Sequence, residues 1–308
     1  VTNVGNTDPF TNLNLLNNTF LNYETAVNLS NGSGTIIADG NTLTGTADTS
    51  NSGLILTTTG ASMTELLVRN NTLTNHAVTG INITATAGST INANDPSGNV
   101  GNQATGLIGN NVMATGAIGT PGDGIIMEAQ AGATINLVAE NNVSSNNIGN
   151  GFVLRANGAG ATINLQSLRA NDFSNNTQNG ALLNFTNGGV ILSQTEDTNE
   201  DVNFNGVLDT GEDLDLDSML TVFDGTLGLT EDLNGNGILD QGIVSNIFND
   251  NAQNGLLILG QTTGSSIFDI GGAQPALGNT FTNNLTAGLG VDLQDTAEAQ
   301  LTVINNTM

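Results

Sequence analysis

The residues best placed to do chemistry lie in one acidic stretch, residues 195–241, which holds 13 of the 28 acidic residues and no basic residue. Within it, oxygen-bearing side chains alternate with other residues, a turn glycine stands at the sixth position and a carboxylate at the twelfth. Ca²⁺ takes about six to eight oxygen ligands, and this alternation supplies them from one tight turn. The predicted ligands of this first loop are Asp201, Asn203, Asn205, the backbone carbonyl of Val207, Asp209 and Glu212.

A second loop repeats the first nine positions of this pattern. Its predicted ligands are Asp232, Asn234, Asn236, the backbone carbonyl of Ile238 and Asp240. Ile243 takes the place of the last carboxylate, so Glu231, Asp213, Asp215 or Asp217 would have to complete the site. Both loops resemble the calcium loops of EF-hands and the Asp-x-Asn-x-Asn-Gly repeats of dockerins and bacterial surface proteins, although the long helices of a true EF-hand are not evident. The resemblance implies Ca²⁺ as the bound ion; a solvated acidic loop without an ion is the alternative.

The charge balance excludes several classes of partner. The 308 residues include three arginines, no lysine and a net charge of −25. Such a charge repels phosphate backbones and anionic lipids, so we expect no nucleic-acid partner. No apolar run approaches the ~18 residues that a spanning helix needs, so we expect no membrane insertion. Cysteine is absent, and disulfide bonds therefore play no part in the fold.

The rest of the chain carries an internal repeat. A glycine followed by alternating apolar residues recurs, and several copies are 27 residues apart. The copies begin at Ala26, Gly53, Gly80, Gly124, Gly151, Gly180, Gly255 and Gly290. Alternation places Ile81 and Ile83 on the inside of a strand and Asn82 on the outside. We expect glycine at these strand starts because it tolerates the backbone angles of a sharp corner.

Each repeat holds two further strand-like pieces. One follows a small-residue turn, as in residues 131–137 (AGATINL). The other opens with an asparagine: Asn18, Asn41, Asn71, Asn111, Asn142, Asn246, Asn279 and Asn306. Three short strands in each 27-residue unit leave no room for a helix of ordinary length, which excludes a βαβ fold. Because equivalent side chains stack in adjacent repeats, we expect these asparagines to hydrogen-bond in a ladder.

The pattern Asn-x-Φ-x-x-Asn followed by Gly-Φ-x-Φ, where Φ is apolar, resembles the repeat of pectate-lyase-like and bacterial surface proteins. The resemblance covers about residues 11–308 apart from insertions. It implies an all-β chain built as a right-handed parallel β-helix, with three-strand coils of about 27 residues. The chain is then a single domain, 1–308, with the acidic calcium-binding segment 195–241 inserted. Lyases, epimerases, tailspikes, adhesins and structural fibres share the repeat, so it is weak as an indication of function.

Three insertions are predicted to leave the repeat at one corner, between its second and third strands. They are Asn92–Ile108, Thr195–Gln241 and the smaller Gly271–Gly278. Insertions at one corner of stacked repeats project from one side of the molecule, which is where we expect contacts with other molecules.

We expect no enzyme activity. The outward positions of the first strand form two columns that end at Asp292 and Gln294, and only Glu128 and Arg155 carry opposite charges in adjacent repeats. Their expected role is a cross-strand ion pair. A lyase needs a base that titrates near neutrality, and hydrolysis needs paired carboxylates. The lone His76 lies in a turn, where we expect it at the surface.

Four apolar residues occupy successive places in one outward column: Ile126, Val153, Leu182 and Leu257. A stripe of this kind is rarely left exposed by a single chain, so either a segment of the chain or a partner is expected to cover it. Residues 300–308 resemble residues 12–20, so the chain starts and stops near the same point of the coil. Uncapped coils present unpaired strand edges that can add another chain.

These observations predict an extracellular structural or adhesive protein of a microbial cell surface, filled with the calcium that is abundant outside cells. We expect it to self-associate, head-to-tail through its ends or laterally through the apolar column, into a fibre or surface array. A slice of a larger surface protein fits the sequence equally well. The alternative function is a carbohydrate-binding or carbohydrate-active β-helix of the lyase or epimerase kind, with surface glycans as partners.

Overall fold

The computed structural model describes residues 2–3, 10–30, 32–46, 52–60, 63–94, 106–113, 116–117, 120–193, 242–272 and 275–308. In the first half of the chain the strands are β1 (Thr2–Asn3), β2 (Phe10–Leu16), β3 (Thr19–Leu21), β4 (Thr25–Ser30), β5 (Gly32–Asp39), β6 (Thr42–Thr44), β7 (Ser52–Thr58), β8 (Met63–Arg69), β9 (Thr72–Thr74), β10 (Thr79–Ala85), β11 (Thr90–Ala93), β12 (Gly106–Ile108), β13 (Asn111–Met113), β14 (Gly116–Ala117) and β15 (Thr120–Pro121).

In the second half they are β16 (Asp123–Gln130), β17 (Thr134–Glu140), β18 (Val143–Ser145), β19 (Phe152–Asn157), β20 (Thr162–Arg169), β21 (Ala181–Thr186), β22 (Val190–Ser193), β23 (Gly242–Val244), β24 (Ile247–Asn249), β25 (Asn254–Gln261), β26 (Thr263–Ile270), β27 (Thr280–Thr282), β28 (Ala287–Leu293) and β29 (Thr296–Val303). The helical content of the described residues is one 3₁₀ turn, Pro275–Leu277. The prediction of an all-β chain is confirmed.

Three parallel sheets are built by strands that recur in the same order along the chain. The first sheet has the order β1-β4-β7-β10-β16-β19-β21-β25-β28. The second has the order β2-β5-β8-β11-β17-β20-β22-β26, with β12, β23 and β29 paired beside it. The third contains β3, β6, β9, β13 and β18 and continues through the bridge residue Asp172 to β24 and β27. Among the described strands the exception is the antiparallel pair β14–β15. The molecule is thus a solenoid-like stack of three-strand repeats.

The strand register shows the predicted 27-residue interval at three steps of the first sheet. Val27 pairs with Leu54 and Leu54 with Ile81, each 27 residues further along. Ile125 pairs with Phe152 at the same interval. Side chains at these positions point into one continuous apolar core, and period-2 alternation keeps their neighbours on the outer face.

The asparagine ladder that we predicted is present, with one change of member and one addition. Each side-chain amide donates from Nδ2 to Oδ1 of the asparagine in the next repeat, over 2.9–3.0 Å. The members of this interior ladder are Asn18, Asn41, Asn71, Asn110, Asn142, Asn171, Asn246, Asn279 and Asn306. Asn110 takes the place that we assigned to Asn111, because Asn111 is itself the register partner of Thr72, one residue beyond the ladder.

The glycines at the strand starts have a different cause from the one we expected. Gly53, Gly151 and Gly180 have ordinary backbone angles. A Cβ on Gly53 would lie 2.4 Å from the carbonyl oxygen of Gly80, and the other two would meet the next repeat's carbonyl at 2.7 and 2.5 Å. The column therefore needs glycine for space between stacked backbones. In the last repeat Gly288 holds this place, whereas we predicted Gly290.

The two larger insertions interrupt the second strand of a repeat, which corrects the corner that we predicted for them. β11 and β12 both pair with β17, on either side of one gap, and β22 and β23 both pair with β20. The first insertion falls between Ala93 and Gly106, inside the predicted Asn92–Ile108. A strand can be split in this way because each half keeps its own ladder of backbone hydrogen bonds. The smaller insertion does lie at the predicted corner, between β26 and β27.

Candidate functional site

All the predicted calcium ligands lie outside the described residues, from Asp201 to Asp240. The described strands stop at Ser193 and resume at Gly242, on the two sides of the predicted insertion. In the described part of the chain, no three His, Cys, Asp or Glu side chains come together in a way that could hold a metal ion. The calcium site therefore stays a prediction.

The ion pair on the outer face of the first sheet differs from the predicted one. Glu128 and Arg155 are register partners, as the sequence indicated. The Arg155 guanidinium nevertheless lies 3.6 Å from Oδ2 of Asp123, and Glu128 instead accepts a hydrogen bond from Gln130. Asp123 also accepts from both the backbone and the side-chain nitrogen of Asn150. The carboxylates of this face are thus bound by amides and arginine and are not arranged as an acid–base pair.

The predicted apolar column is not an exposed stripe. Val153 is fully buried and Ile126 is 8 % exposed, while Leu182 and Leu257 are partly buried. Val153 and Ile126 are register partners, and Arg155, two residues beyond Val153, has its guanidinium beside Asp123 at the start of the strand that carries Ile126.

The far end of these columns is also shifted from the predicted register. Leu257 pairs with Gly290 and Leu259 with Asp292, so Asp292 stands in the column that we assigned to Gln294. The cause is the start of this strand, where Gly288 and not Gly290 occupies the glycine column. The last copy of the repeat therefore begins two residues earlier than the sequence pattern suggested.

A second ion pair lies on the outer face of the second sheet. Nη2 of Arg69 donates to Oδ2 of Asp39 over 2.6 Å, and Asn70 donates to the other oxygen of Asp39. The hydrogen bond from Arg69 holds the pKa of Asp39 below its usual value, and the same bond raises the pKa of Arg69. Two of the three arginines are thus committed to neighbouring carboxylates. The third, Arg169, is the register partner of Glu140.

His76 is in the interior, which corrects the surface position that we expected. Its ring is fully buried, and Nε2 lies 2.6 Å from the hydroxyl oxygen of Tyr23. Burial lowers the pKa of His76 to about 4 and raises the pKa of Tyr23 above its usual range. The two rings are 5.8 Å apart.

Further buried amides were missed from the sequence. A second ladder joins Asn147, Asn176, Asn251 and Asn284 through Nδ2–Oδ1 hydrogen bonds of 2.9–3.2 Å. Each member follows an asparagine of the interior ladder by five residues, so the last Asn of the Asn-x-Φ-x-x-Asn pattern was the available signal. A third ladder joins Asn254, Asn179, Asn150 and the carboxylate of Asp123.

Of the aromatic side chains whose burial is described, none is exposed. Where the chain is described, no helix combines the length and apolar character needed to cross a bilayer.

No protein-family model matches the chain. No curated protein and no solved structure matches it either.

Proposed function

We propose that the chain is a right-handed parallel β-helix that serves as an extracellular structural or adhesive protein of a microbial surface, stabilised by calcium. The observation that supports this most is the interior ladder, in which nine asparagines tie every repeat to the next. A buried amide is held firmly because leaving it without a partner costs about 1–3 kcal/mol. A stack with all its repeats joined in this way suits a stiff rod or spacer.

The side chains of the outer faces favour a scaffold over an enzyme. Asp123 and Asp39 are occupied by arginine, and Glu128 by Gln130. The single histidine is buried against a tyrosine, where it cannot reach a substrate in water. These groups are therefore poor candidates for a catalytic acid or base.

Calcium is proposed from the two loops in the acidic segment. The first loop has oxygen ligands at every position that the twelve-residue pattern requires, ending in Glu212. Extracellular modules bind calcium with dissociation constants of about 10⁻⁴ to 10⁻³ M, and external calcium fills such sites. Holding the ion would neutralise part of the segment's negative charge.

Self-association is proposed through exposed apolar side chains and strand edges at the last repeats. Val291, Leu293 and Val303 are 46, 40 and 44 % exposed, and they lie on β28 and β29. Each of these strands has one described partner, β25 for β28 and β26 for β29. An unpaired parallel edge with apolar side chains can add strands of another copy.

The assembly and its calcium dependence are tested together by sedimentation velocity and negative-stain electron microscopy of the 308-residue chain. With millimolar calcium we expect rods or end-to-end assemblies and a higher melting temperature. After chelation we expect shorter species and a lower melting temperature. A monomer with the same melting temperature in both conditions would refute the proposal.

The calcium loop has its own test in direct calcium titration by calorimetry. Glu212→Gln removes a bidentate ligand and should weaken binding at least about tenfold. Glu298→Gln, which removes an exposed carboxylate from β29, is the matched control and should leave binding unchanged. Equal affinities in the two variants would place any bound ion elsewhere.

The carbohydrate-active alternative is tested by incubating the chain with acidic polysaccharides and calcium. Elimination by a base would give unsaturated sugars, which absorb ultraviolet light. Under the structural proposal, the ultraviolet absorbance of the mixture does not rise. Sustained release of such products would favour the alternative.

A further inference from the structure

A hydrogen bond between Tyr23 and His76, the one tyrosine and the one histidine of the chain, lies inside the stack. The Tyr23 hydroxyl oxygen and Nε2 of His76 share one hydrogen bond, and the tautomer of the neutral imidazole decides which of the two donates. The other ring nitrogen, Nδ1, has no hydrogen-bond partner. The ring is thus held by a hydrogen bond at one nitrogen.

The pair stands where the later repeats use asparagine. Tyr23 follows Asn18 by five residues and His76 follows Asn71 by five, which is the spacing of Asn147 after Asn142. The hydrogen bond joins residues two repeats apart, passing the repeat that carries Thr46. It therefore holds three successive repeats together, whereas each amide of the second ladder joins two.

A small cavity lies in the three repeats that this pair joins. Its volume is about 10 Å³, and its lining is mainly apolar, including Phe20, Leu43, Leu54 and Leu73, with Asn41 and Asn71 of the interior ladder. Its size is close to that of one water molecule.

Among the described residues, no charged group is placed to stabilise a protonated His76. The strands around it, β3, β4, β6, β7, β9 and β10, contain no titratable residue. Glu24 follows Tyr23 but is exposed, and Asp123, the register partner of Thr79, is engaged by Asn150 and Arg155. Burial is the cause that lowers the pKa of His76.

We infer that the Tyr23–His76 pair is an acid-sensitive clasp, whose protonation opens the amino-terminal repeats (residues 10–94) while the carboxy-terminal repeats (residues 120–193 and 242–308) stay folded. Protonation leaves the imidazolium with two N–H donors and no acceptor for the Tyr23 hydroxyl, and it places an unpaired charge in an apolar interior. Repeat stacks open locally because each repeat contacts mainly its neighbours, so the effect remains in the repeats that the pair joins.

The direction of the pH dependence follows from linkage. An opened His76 titrates near its ordinary value of about 6.5, and the folded one near 4. Since the folded pKa is the lower, the stabilisation is complete above about pH 6.5 and is lost as the pH falls towards 4. Over that window the opening constant of the amino-terminal repeats should rise about tenfold per pH unit.

The titration can be measured on the unaltered chain, because it contains one histidine, one tyrosine and no tryptophan. Nuclear magnetic resonance of the single imidazole should give a midpoint near pH 4, and the tyrosine fluorescence should change over the same range. A midpoint near 6.5 would overturn the inference, since it would mean an exposed ring.

Hydrogen exchange followed by mass spectrometry, with chelator present and intrinsic rates corrected, locates the opening. Between pH 6.5 and 4 we expect protection to fall in residues 10–94 and to persist in residues 120–193 and 242–308. His76→Gln, which cannot titrate, should remove the pH dependence of this difference. Tyr23→Phe should lower protection in the amino-terminal repeats already at pH 7, which keeps the test decisive if the glutamine variant does not fold. Equal loss in both regions of the unaltered chain would contradict the inference.

Discussion

The amino-terminal repeats and the carboxy-terminal repeats share one backbone plan and fill it with different side chains. In the third-strand core position the column runs Phe20, Leu43, Leu73, Val112 and Ser144, and it continues with Phe173, Phe248 and Phe281. The last three phenylalanines pack face to face or tilted, with centroids 4.9–5.7 Å apart along the stack. A small cavity lies among the early repeats, beside Phe20, Leu43 and Leu73.

The polar side chains of the interior also differ between the two regions. Late repeats carry a second ladder of amides, which do not titrate, while early repeats carry a tyrosine and a histidine in the same column. Backbone register and the interior asparagine ladder are common to both regions. We infer that the glycine and asparagine columns fix the backbone register of the repeats, whereas the local stability of a repeat depends on the large side chains at its remaining interior positions.

The largest expected effect comes from truncating the aromatic stack. Phe248→Ala removes a fully buried ring between Phe173 and Phe281 and should lower the free energy of unfolding by about 3–5 kcal/mol. Leu73→Ala, the matched change in the early repeats, removes a smaller side chain and should cost about 2–3 kcal/mol. Urea denaturation measures both. A larger loss for the leucine variant would reverse the proposed difference between the regions.

Breaking the shared ladder should cost somewhat less. Asn142→Ala removes the acceptor of the Asn110 backbone N–H and the side-chain donor to the Leu107 carbonyl, and it leaves Oδ1 of Asn171 with the backbone N–H of residue 142 as its remaining donor from that residue. We expect a loss of at least about 2 kcal/mol, since each unsatisfied buried group costs about 1–3 kcal/mol. Asn157→Ala, at an exposed amide, is the control and should change the urea midpoint little. Similar midpoints for the two variants would show that the ladder adds no stability.

The glycine column gives a third comparison between the regions. Gly180→Ala would place a Cβ 2.5 Å from the carbonyl oxygen of Gly255 and should cost about 1–3 kcal/mol through overpacking. The first repeat already has alanine in this column, so Ala26→Gly should cost less than about 1 kcal/mol. Thermal unfolding compares the two, and a tolerated alanine at Gly180 would mean that the late repeats can separate slightly.

The smallest expected effect is that of the surface ion pair. Arg69 and Asp39 have side chains 39 and 23 % exposed, so Arg69→Gln should cost at most about 1 kcal/mol. The folded pKa of Asp39 is the lowered one, so its contribution is present above about pH 4 and disappears as the pH falls further. The urea midpoints of the two proteins should therefore differ at pH 7 and converge near pH 2. A difference that persists at the acid end would assign the effect to lost packing.

The sequence was sufficient for the repeat, the parallel strands and most of the interior ladder, because columns of identical residues leave a periodic signal. It was insufficient where a column changes residue type. His76 looked like a surface turn residue, because asparagines occupy the equivalent positions of the later repeats. Its contact with Tyr23, two repeats away, becomes visible only when the repeats are stacked. Arg155 was paired with Glu128 on register alone, although a long side chain can reach along the strand to Asp123. The split second strands were missed because an interruption inside a short strand looks like a corner.

The stacked register is tested most directly by cysteine pairs, since the chain has no cysteine of its own. Thr57 and Thr84 are register partners on the outer face of the early repeats, and Asn184 and Leu259 are the equivalent pair in the late ones. Neighbouring strands are about 4.8 Å apart, within the range that a disulfide spans, so each double-cysteine variant should cross-link internally on mild oxidation. Thr57 and Asn184 lie in the same column but four repeats apart, so this distant pair should remain reduced. Failure of both partner pairs, or equal cross-linking of the distant pair, would contradict a stack of parallel repeats in this register.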